Sequence, residues 1–395
     1  MSNSFSHFKV VDKVAESTVI TSFYLQTADN EALWPAQAGQ YLTLRIPTAD
    51  KPVLRTYSLS TDVTHPDSYR ITVKREVAPL TAPDAPNGLG SCWLHDVVEV
   101  GDILEVAAPR GQFVLDESSQ RPVLLLSGGV GQTPLLSMLH SLSKTSREAW
   151  YIHACENGAV HAMQAEVDDL VSQFDEQLHS IVVYREPLAE DHEALNFDSK
   201  GFIDKALLQS LLPIDDYDVY LCGPTAFMVA MYKLLVELGI AKSRIAYEFF
   251  GKAASLDAMA FGTVQEFKTP SVAASKAPSA LANLTHITNP DAWAIDKSFN
   301  EANTVSNDSS TSSSVCFSRT GTTVEWSDTN TSLLQLAEQH GLNPDFSCRS
   351  GICNSCKLPL LEGEVEYFEP PLEQPKSNEV LLCCSRPLGR VVIDL

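Results

Sequence analysis

Five of the nine cysteines in this 395-residue chain fall between Cys348 and Cys384, and that crowding constrains the C-terminal end more than any other feature. The remaining four, Cys92, Cys155, Cys222 and Cys316, are scattered. Disulfide frameworks belong to small secreted chains, whereas clustered thiols in other chains read first as metal ligands. The N-terminal stretch MSNSFSHFKVVDK has no basic start followed by an apolar core, so a cytoplasmic location is expected. The first three clustered thiols are spaced Cys348-RSGI-Cys353-NS-Cys356. A short loop wrapped round a metal centre needs small residues that let backbone N–H groups reach the sulfurs, and Ser350, Gly351, Asn354 and Ser355 meet that need. A structural zinc site would use the same thiolates, but such sites usually pair one Cys-x2-Cys with a second, and this loop holds one.

The Cys-x4-Cys-x2-Cys spacing with a further cysteine downstream resembles plant-type ferredoxins, in which four thiolates hold a 2Fe-2S cluster. Soft, electron-rich thiolates suit iron-sulfide. In LLCCSRP the resemblance assigns the fourth ligand to Cys383, four residues before Pro387, and leaves Cys384 as a neighbour directed elsewhere. The expected metal ligands are therefore Cys348, Cys353, Cys356 and Cys383. The likeness runs from Val315 to Leu395 and implies an α+β β-grasp unit, a curved sheet crossed by a helix near Leu333 to His340. The gap from Cys356 to Cys383 is closer to ferredoxin domains fused to bacterial reductases than to photosynthetic ferredoxins.

Upstream the texture changes twice. Short alternating runs (FKVVDKV, QYLTLRI, YRITVKR, GDILEVAAP) broken by Pro, Gly and Asp predict a small antiparallel β-barrel over residues 1–117. Continuous apolar strands (PVLLLSGG, AWYIHACE, HSIVVYREP, DVYLCGP) alternate with helical patterns (TPLLSMLHSLSK, AMQAEVDDLVSQF, AFMVAMYKLLVELG) over 118–251, which predicts an α/β doubly wound parallel sheet. Residues 252–313, ending in NTVSNDSSTSSS, carry too little apolar surface to offset their ordering entropy and read as a flexible linker of about 40 Å root-mean-square span. Trp293 and the stretch near LDAMAFG are its candidates for local docking. The remainder, 314–395, is the thiol-bearing domain.

Residues 1–251 resemble the ferredoxin-NADP reductase superfamily, and most closely the reductase portion of flavohaemoglobins. Arg55-Thr56-Tyr57-Ser58 matches its Arg-x-Tyr-Ser signature. By that resemblance Arg55 meets a flavin phosphate, Tyr57 flanks the ring, Ser58 sits near the reactive edge and Lys74 lies close by. A guanidinium fork fits phosphate and an aromatic face fits a flat ring. GLGSCWL resembles the second phosphate loop, with Gly90, Ser91 and Cys92 as donors to a pyrophosphate. YEFFG places Glu248 near the reactive edge and Phe250 over the flavin, and the likeness favours FAD over FMN. Gly128-Gly129-Val130-Gly131-Gln132-Thr133-Pro134 lies between a strand and a helix, where Gly129, Gly131 and Thr133 suit a dinucleotide pyrophosphate at a helix N-terminus. Cys222-Gly223-Pro224 follows another strand, where the family places a cysteine beside the nicotinamide. A 2′-phosphate needs cations; the loops near the site supply only Arg185, so NADH is expected over NADPH. His153 and His161 read as core or surface residues, since hydride transfer needs no histidine base.

The expected function is an NADH-dependent reductase that passes electrons through FAD and a 2Fe-2S cluster to a partner redox protein, as in reductase components of Rieske-type or diiron oxygenases or of hybrid-cluster protein systems. A stand-alone reductase of oxygen, quinone or a small molecule is the alternative. A non-enzymatic metal-bound scaffold would show gaps in the cofactor loops, and none is present. A net charge of −22, with 28 basic against 50 acidic residues, argues against nucleic acid. No run approaches the eighteen or so apolar residues of a membrane helix.

Overall fold

Period-two alternation buries one face of each early strand. In the computed structural model, which describes residues 5–49, 51–64, 66–78, 84, 86–250, 256–261, 313–327, 332–342, 344–346, 351–352 and 354–395, those strands form an antiparallel sheet. They are β1 (Phe5–Ala15), β2 (Ile20–Thr27), β3 (Tyr41–Ile46), β4 (Val53–Ser58), β5 (Tyr69–Lys74) and β6 (Ile103–Arg110), in the order β4-β3-β6-β1-β2-β5. Its two ends meet: Leu59, just past β4, bridges to Ile71 of β5, and the Ser60 N–H donates to the Arg70 carbonyl at 2.9 Å. The sheet closes round Phe8, Phe23, Leu42, Leu44 and Ile71, all fully buried. GLGSCWL is not an open loop. It begins helix α1 (Leu89–Asp96), with Gly88 at the N-cap and Leu94 buried in the barrel core.

A parallel sheet follows, built from β7 (Val123–Gly128), β8 (Ala149–Cys155), β9 (Leu178–Tyr184), β10 (Ser199–Lys200), β11 (Asp218–Cys222) and β12 (Ile245–Glu248) in the order β10-β9-β8-β7-β11-β12. Its strands are apolar on both sides because both faces are covered. Helices α2 (Gln132–Leu142) and α3 (Gln164–Gln173) pack against Leu125 and Tyr151. On the other face Leu124, Leu126 and Val219 meet α5 (Lys205–Leu211) and α6 (Thr225–Glu237), with the short α4 (Ala189–Ala194) in the connection between β9 and β10. The chain leaves β7 towards β8 on one side and later returns to β11 on the other, so the strand order reverses between β7 and β11. Ligands of open α/β sheets bind at such a switch point.

Helix α7 (Leu256–Phe261) is the LDAMAFG stretch of the expected linker named as a docking candidate, and Leu256 and Ala260 are buried in the core beside α6. Two well-placed apolar residues are enough to seat one helical turn on a preformed surface. Residues 252–255 and 262–312 of the expected linker, with Trp293, lie outside the described residues, as do Gly251, Cys348, Ser350 and Cys353.

The C-terminal sheet contains β13 (Ser314–Phe317), β14 (Thr322–Glu325), β15 (Lys357–Tyr367), β16 (Glu379–Leu381) and β17 (Ser385–Ile393) in the order β14-β13-β17-β15-β16. β13 runs parallel to β17 and the other pairings are antiparallel. Helix α8 (Leu333–Gln339), capped by the Ser332 hydroxyl accepting from the Gln335 N–H at 3.1 Å, buries Leu333, Leu334 and Leu336 against this mixed sheet. This is the β-grasp arrangement.

The barrel and the parallel sheet are joined by a buried charge cluster. Arg70 of β5 meets Glu166 of α3 through two bonds, Nη1 to Oε2 at 2.6 Å and Nη2 to Oε1 at 2.9 Å, and His140 Nε2 lies 2.6 Å from the same Oε1. Burial alone would raise the Glu166 carboxyl, but the hydrogen bonds from His140 and Arg70 carry it below its ordinary range. Arg70 is buried and Glu166 partly so, and without the guanidinium the carboxylate keeps only His140, so Arg70→Ala is expected to cost about 1–3 kcal/mol in unfolding free energy. Arg121, half-exposed in its pair with Asp216, should cost under about 1 kcal/mol when changed to Ala. Denaturant unfolding of the two variants checks the contrast.

The candidate cofactor site and its family

A cleft of about 1040 Å³ opens between the barrel, the first turn of α2 and the β-grasp unit. Its barrel wall is Arg55, Thr56, Tyr57 and Ser58 of β4 with Lys74 of β5 and Ser91 of α1. Strand alternation sends Tyr57 and Arg55 to the same face, and Gly90 lies directly beneath them. A Cβ on Gly90 would stand 2.7 Å from the Tyr57 hydroxyl and 2.8 Å from Arg55 Cγ. Burial pushes the Tyr57 hydroxyl above its ordinary value, against the opposing pull of Arg55. Arg45, Lys51, Arg55 and Lys74 give the cleft four cations. Arg45 and Lys74 are held by Glu105 at 2.7 Å and Glu76 at 3.0 Å, while Arg55 is paired with no carboxylate among the described residues. A flat aromatic wall beside uncommitted positive charge fits a flavin with its phosphates.

Of the three residues expected to donate from the second loop, Cys92 cannot use its amide. Its N–H is spent on the Gly88 carbonyl at 2.9 Å, because the segment is helical, and its thiol faces the Glu76 carbonyl at 3.3 Å. The Ser91 hydroxyl is likewise engaged, donating to Gly88 and accepting from the Glu76 N–H. What remains is the backbone of the first helical turn at Gly90 and Ser91.

The glycine turn after β7 and the Cys222-Gly223-Pro224 turn after β11 touch backbone to backbone. A Cβ on Gly131 would fall 2.3 Å from the Cys222 carbonyl oxygen and 2.6 Å from Gly223 Cα, and one on Gly223 would fall 3.0 Å from the Gly128 nitrogen. Gly129 answers a different demand, a positive φ of 52°. The Thr133 hydroxyl donates to the Val130 carbonyl at 3.2 Å and closes the turn, and both residues line the cleft. Cys222 is fully buried, and burial, then the nearby Glu248, pushes its thiol well above the ordinary range. Glu248 is half-buried, with Oε2 sealed and lacking a hydrogen-bond partner among the described residues; burial first, and Glu369 second, lift its carboxyl to about 8. Phe250 is half-exposed on the cleft wall. His153 and His161 are buried and stacked on each other, tied to Ser127 at 2.7 Å and Tyr184 at 2.9 Å, as core residues are.

The β-grasp unit closes the cleft. Ile352, Asn354, Ser355 and Glu373 line it opposite β4. Ile352 and Leu372 pack with Tyr41 and Ala107 of the barrel, and Arg110 Nη1 donates to the Pro370 carbonyl. Of the described thiols of this unit, Cys356, Cys383 and Cys384 are buried and Cys316, on β13, is half-buried. The Gly351 N–H donates to Cys383 Sγ at 3.2 Å, the backbone-to-sulfur contact that a thiolate-held cluster requires. Cys384 Sγ packs against Gly351 from the other side, where a Cβ would come within 2.8 Å, and turns towards the Leu381 carbonyl at 3.8 Å. Buried thiols beside a donating loop fit an iron-sulfur cluster. Sequence reasoning did not find Ile352, Glu373, Glu369 or the Arg70–Glu166 pair; each acts across units that only the fold brings together.

Three family models match in order: an oxidoreductase FAD-binding domain at residues 7–115, an oxidoreductase NAD-binding domain at 125–233 and a 2Fe-2S iron-sulfur cluster binding domain at 317–388. The flavohemoprotein of Bacillus cereus (strain ATCC 10987 / NRS 248) is 43% identical over 256 residues, which is 64% of this chain and 62% of that protein. The chain thus spans about 62% of the length of the curated relatives it matches. The FAD/NAD-binding domain of nitric oxide dioxygenase from Vibrio cholerae O1 biovar El Tor superposes with a TM-score of 0.56 at 38% identity, covering 63% of this chain and 99% of that one. Phthalate dioxygenase reductase has the same fold across 99% of this chain and 98% of its own, at 23% identity and a TM-score of 0.51. Barrel, doubly wound sheet and β-grasp unit, in that order, define an NAD(P)H oxidoreductase with flavin and 2Fe-2S domains. The chain belongs to the ferredoxin-NADP reductase superfamily, with a reductase half like that of flavohaemoproteins and a plant-type ferredoxin domain after it.

Proposed function

We propose that this chain draws electrons from NADH through FAD and delivers them singly, by way of the ferredoxin domain, to a separate redox protein of the oxygenase or hybrid-cluster class. The observation that carries this reading is the shared cleft: residues of the cluster loop, Ile352, Asn354 and Ser355, line the same cavity as Arg55, Tyr57 and Ser58. When bound, a flavin takes two electrons from nicotinamide and passes them on one at a time to a cluster that accepts one. The chain's part is to hold and align. Arg55 faces the flavin phosphates, Lys74 lies close to the flavin, Thr56, Tyr57 and Ser58 line the ring, and the amides of Gly90 and Ser91 add donors. Gly129, Gly131 and Thr133 shape the turn for the dinucleotide pyrophosphate; Cys222, Gly223 and Pro224 bound the nicotinamide; Glu248 and Phe250 close the reactive side. Cys348, Cys353, Cys356 and Cys383 are the cluster ligands. We place the domain boundaries at 117/118 and 313/314, with the nucleotide unit running through Phe261 because Leu256 is buried in its core.

NADH is favoured over NADPH because Arg185, the one cation near the expected ribose among the described residues, is held by Glu156 at 2.6 Å and flanked by Glu186 at 3.8 Å. Arg55→Ala should release flavin during gel filtration, since a phosphate charge loses its guanidinium partner, and the loss should be about tenfold or more in affinity. The reading as a whole is tested by coupling. With NADH, the full chain should drive turnover of an oxygenase or hybrid-cluster component; equal NADH consumption with every electron going to oxygen or quinone, whether or not such a protein is present, contradicts it.

A further inference from the structure

The ferredoxin domain rests on the barrel through an apolar contact that borders the cofactor cleft. Tyr41 of β3 stands in register with Ser58 of β4 on one side and with Arg110 of β6 on the other. Tyr41 and Ala107 of the barrel pack with Ile352 and Leu372 of the ferredoxin domain, and Phe5 and Leu54 close the edge. Arg110 Nη1 donates to the Pro370 carbonyl beside them. The barrel side of the contact is thus one strand from Ser58, the residue that the resemblance sets at the reactive edge of the flavin.

The ferredoxin side of the contact is stitched to the cluster loop. The Leu372 N–H donates to the Gly351 carbonyl at 3.0 Å, and the Gly351 N–H donates to Cys383 Sγ at 3.2 Å. Next to Leu372, the Glu373 carboxylate accepts from Asn354 Nδ2 at 3.2 Å, two residues before Cys356. Residues 370–373 and the loop that carries the expected ligands are therefore one mechanical piece, and the place where Leu372 rests decides where the loop stands. Gly111 leaves room for the barrel half of the seat, since a Cβ there would fall 2.9 Å from Tyr41 Cε1.

We propose that Leu372 and Ala107 are positioning residues whose apolar contact seats the cluster loop close enough to the flavin edge for an electron to pass. The inference deepens the proposed function and rests on it. Electron transfer between two centres falls off steeply with their separation. Two domains of one chain move relative to each other unless a contact holds them, so the seat selects the short separation. Leu372 is 8% and Ala107 1% exposed, and a charge placed at either must be stripped of water for the domain to sit down. The hydride step makes no use of the seat, because the turns at Gly131 and Cys222 belong to the parallel sheet.

Anaerobic mixing of the full chain with NADH, with flavin bleaching and cluster reduction followed as separate signals, tests the seat. Leu372→Ala and Ala107→Asp should leave flavin bleaching and the iron and sulfide content at wild-type values. Cluster reduction should slow by about tenfold or more in Leu372→Ala, as when one well-packed anchor is lost from an interface, and at least as much in Ala107→Asp. Leu372→Met keeps the apolar bulk and should recover most of the wild-type rate. Small-angle X-ray scattering should give Ala107→Asp a larger radius of gyration than the wild type, and a chemical reductant should still reduce its cluster fully. Cluster reduction at the wild-type rate in Ala107→Asp, loss of its iron or flavin, or a Leu372→Met as slow as Leu372→Ala each overturns the proposal. A wild-type chain whose flavin bleaches while its cluster stays oxidised overturns the proposed function, and the seat with it; a fast wild type beside an equally fast Ala107→Asp overturns the seat alone.

Discussion

Changing Cys383 to Ser is expected to strip the ferredoxin domain of iron and acid-labile sulfide and to bring electron delivery to a protein acceptor down to background. Cys383 Sγ already receives the Gly351 N–H at 3.2 Å, and a serine oxygen is a poor match for soft iron-sulfide. NADH-dependent ferricyanide reduction should keep most of its rate, because the flavin and nucleotide sites are built on other sheets. Cys384→Ser should retain the cluster, at a cost of about 1–3 kcal/mol in stability for a buried hydroxyl in an apolar turn. Iron and sulfide analysis of the two variants decides the assignment. A chain that loses its cluster with Cys384→Ser and keeps it with Cys383→Ser would exchange the roles of the two thiols.

The second large effect is expected at Gly131. Its φ of −61° is open to any residue, so the glycine is required by proximity and not by backbone conformation. An added Cβ would lie 2.3 Å from the Cys222 oxygen, 2.5 Å from its carbonyl carbon and 2.6 Å from Gly223 Cα, all backbone atoms that cannot swing away. Gly131→Ala must push the two nucleotide turns apart, and misplacement by about 1 Å at a reacting centre costs on the order of 10²-fold in rate. Stopped-flow reduction of the flavin by NADH should slow by that factor while flavin and iron content stay unchanged. Gly129→Ala, two residues away, has nothing within 4 Å of its new Cβ and meets only the positive φ of 52°, so its cost is about 1–2 kcal/mol of backbone strain. A normal reduction rate in Gly131→Ala would remove the two-loop site from the account.

These two sites were legible in the chain because their information is local. Cysteine spacing survives any uncertainty in the fold, and a glycine turn between an apolar strand and a helix marks a strand's carboxyl end wherever the strand is placed. The barrel and the doubly wound sheet likewise followed from alternation and helical spacing, and the helix across the β-grasp sheet from the resemblance to plant-type ferredoxins. GLGSCWL was harder, since seven small and mixed residues carry a phosphate-loop composition and a helical first turn equally well; the bond from the Cys92 N–H to Gly88 decides it. The apolar residues of LDAMAFG marked it for docking, but its helical form was not legible, because a six-residue helix is stabilised by its neighbours, here the core round Leu256, and not by its own sequence. Arg70 and Glu166 stand far apart in the chain. No pattern in either segment announces a partner that only the packing of whole units supplies.

The proposed function requires that electrons from the nicotinamide reach the cluster through the flavin within this one chain. Anaerobic NADH added to the purified full chain, with electron paramagnetic resonance recorded at low temperature, tests it most directly. NADH alone should bleach the flavin and raise the signal of a reduced 2Fe-2S cluster, NADPH should do so far more slowly, and Cys383→Ser should bleach without the signal. A flavin fully bleached by NADH beside a cluster that stays oxidised until a chemical reductant is added would contradict it.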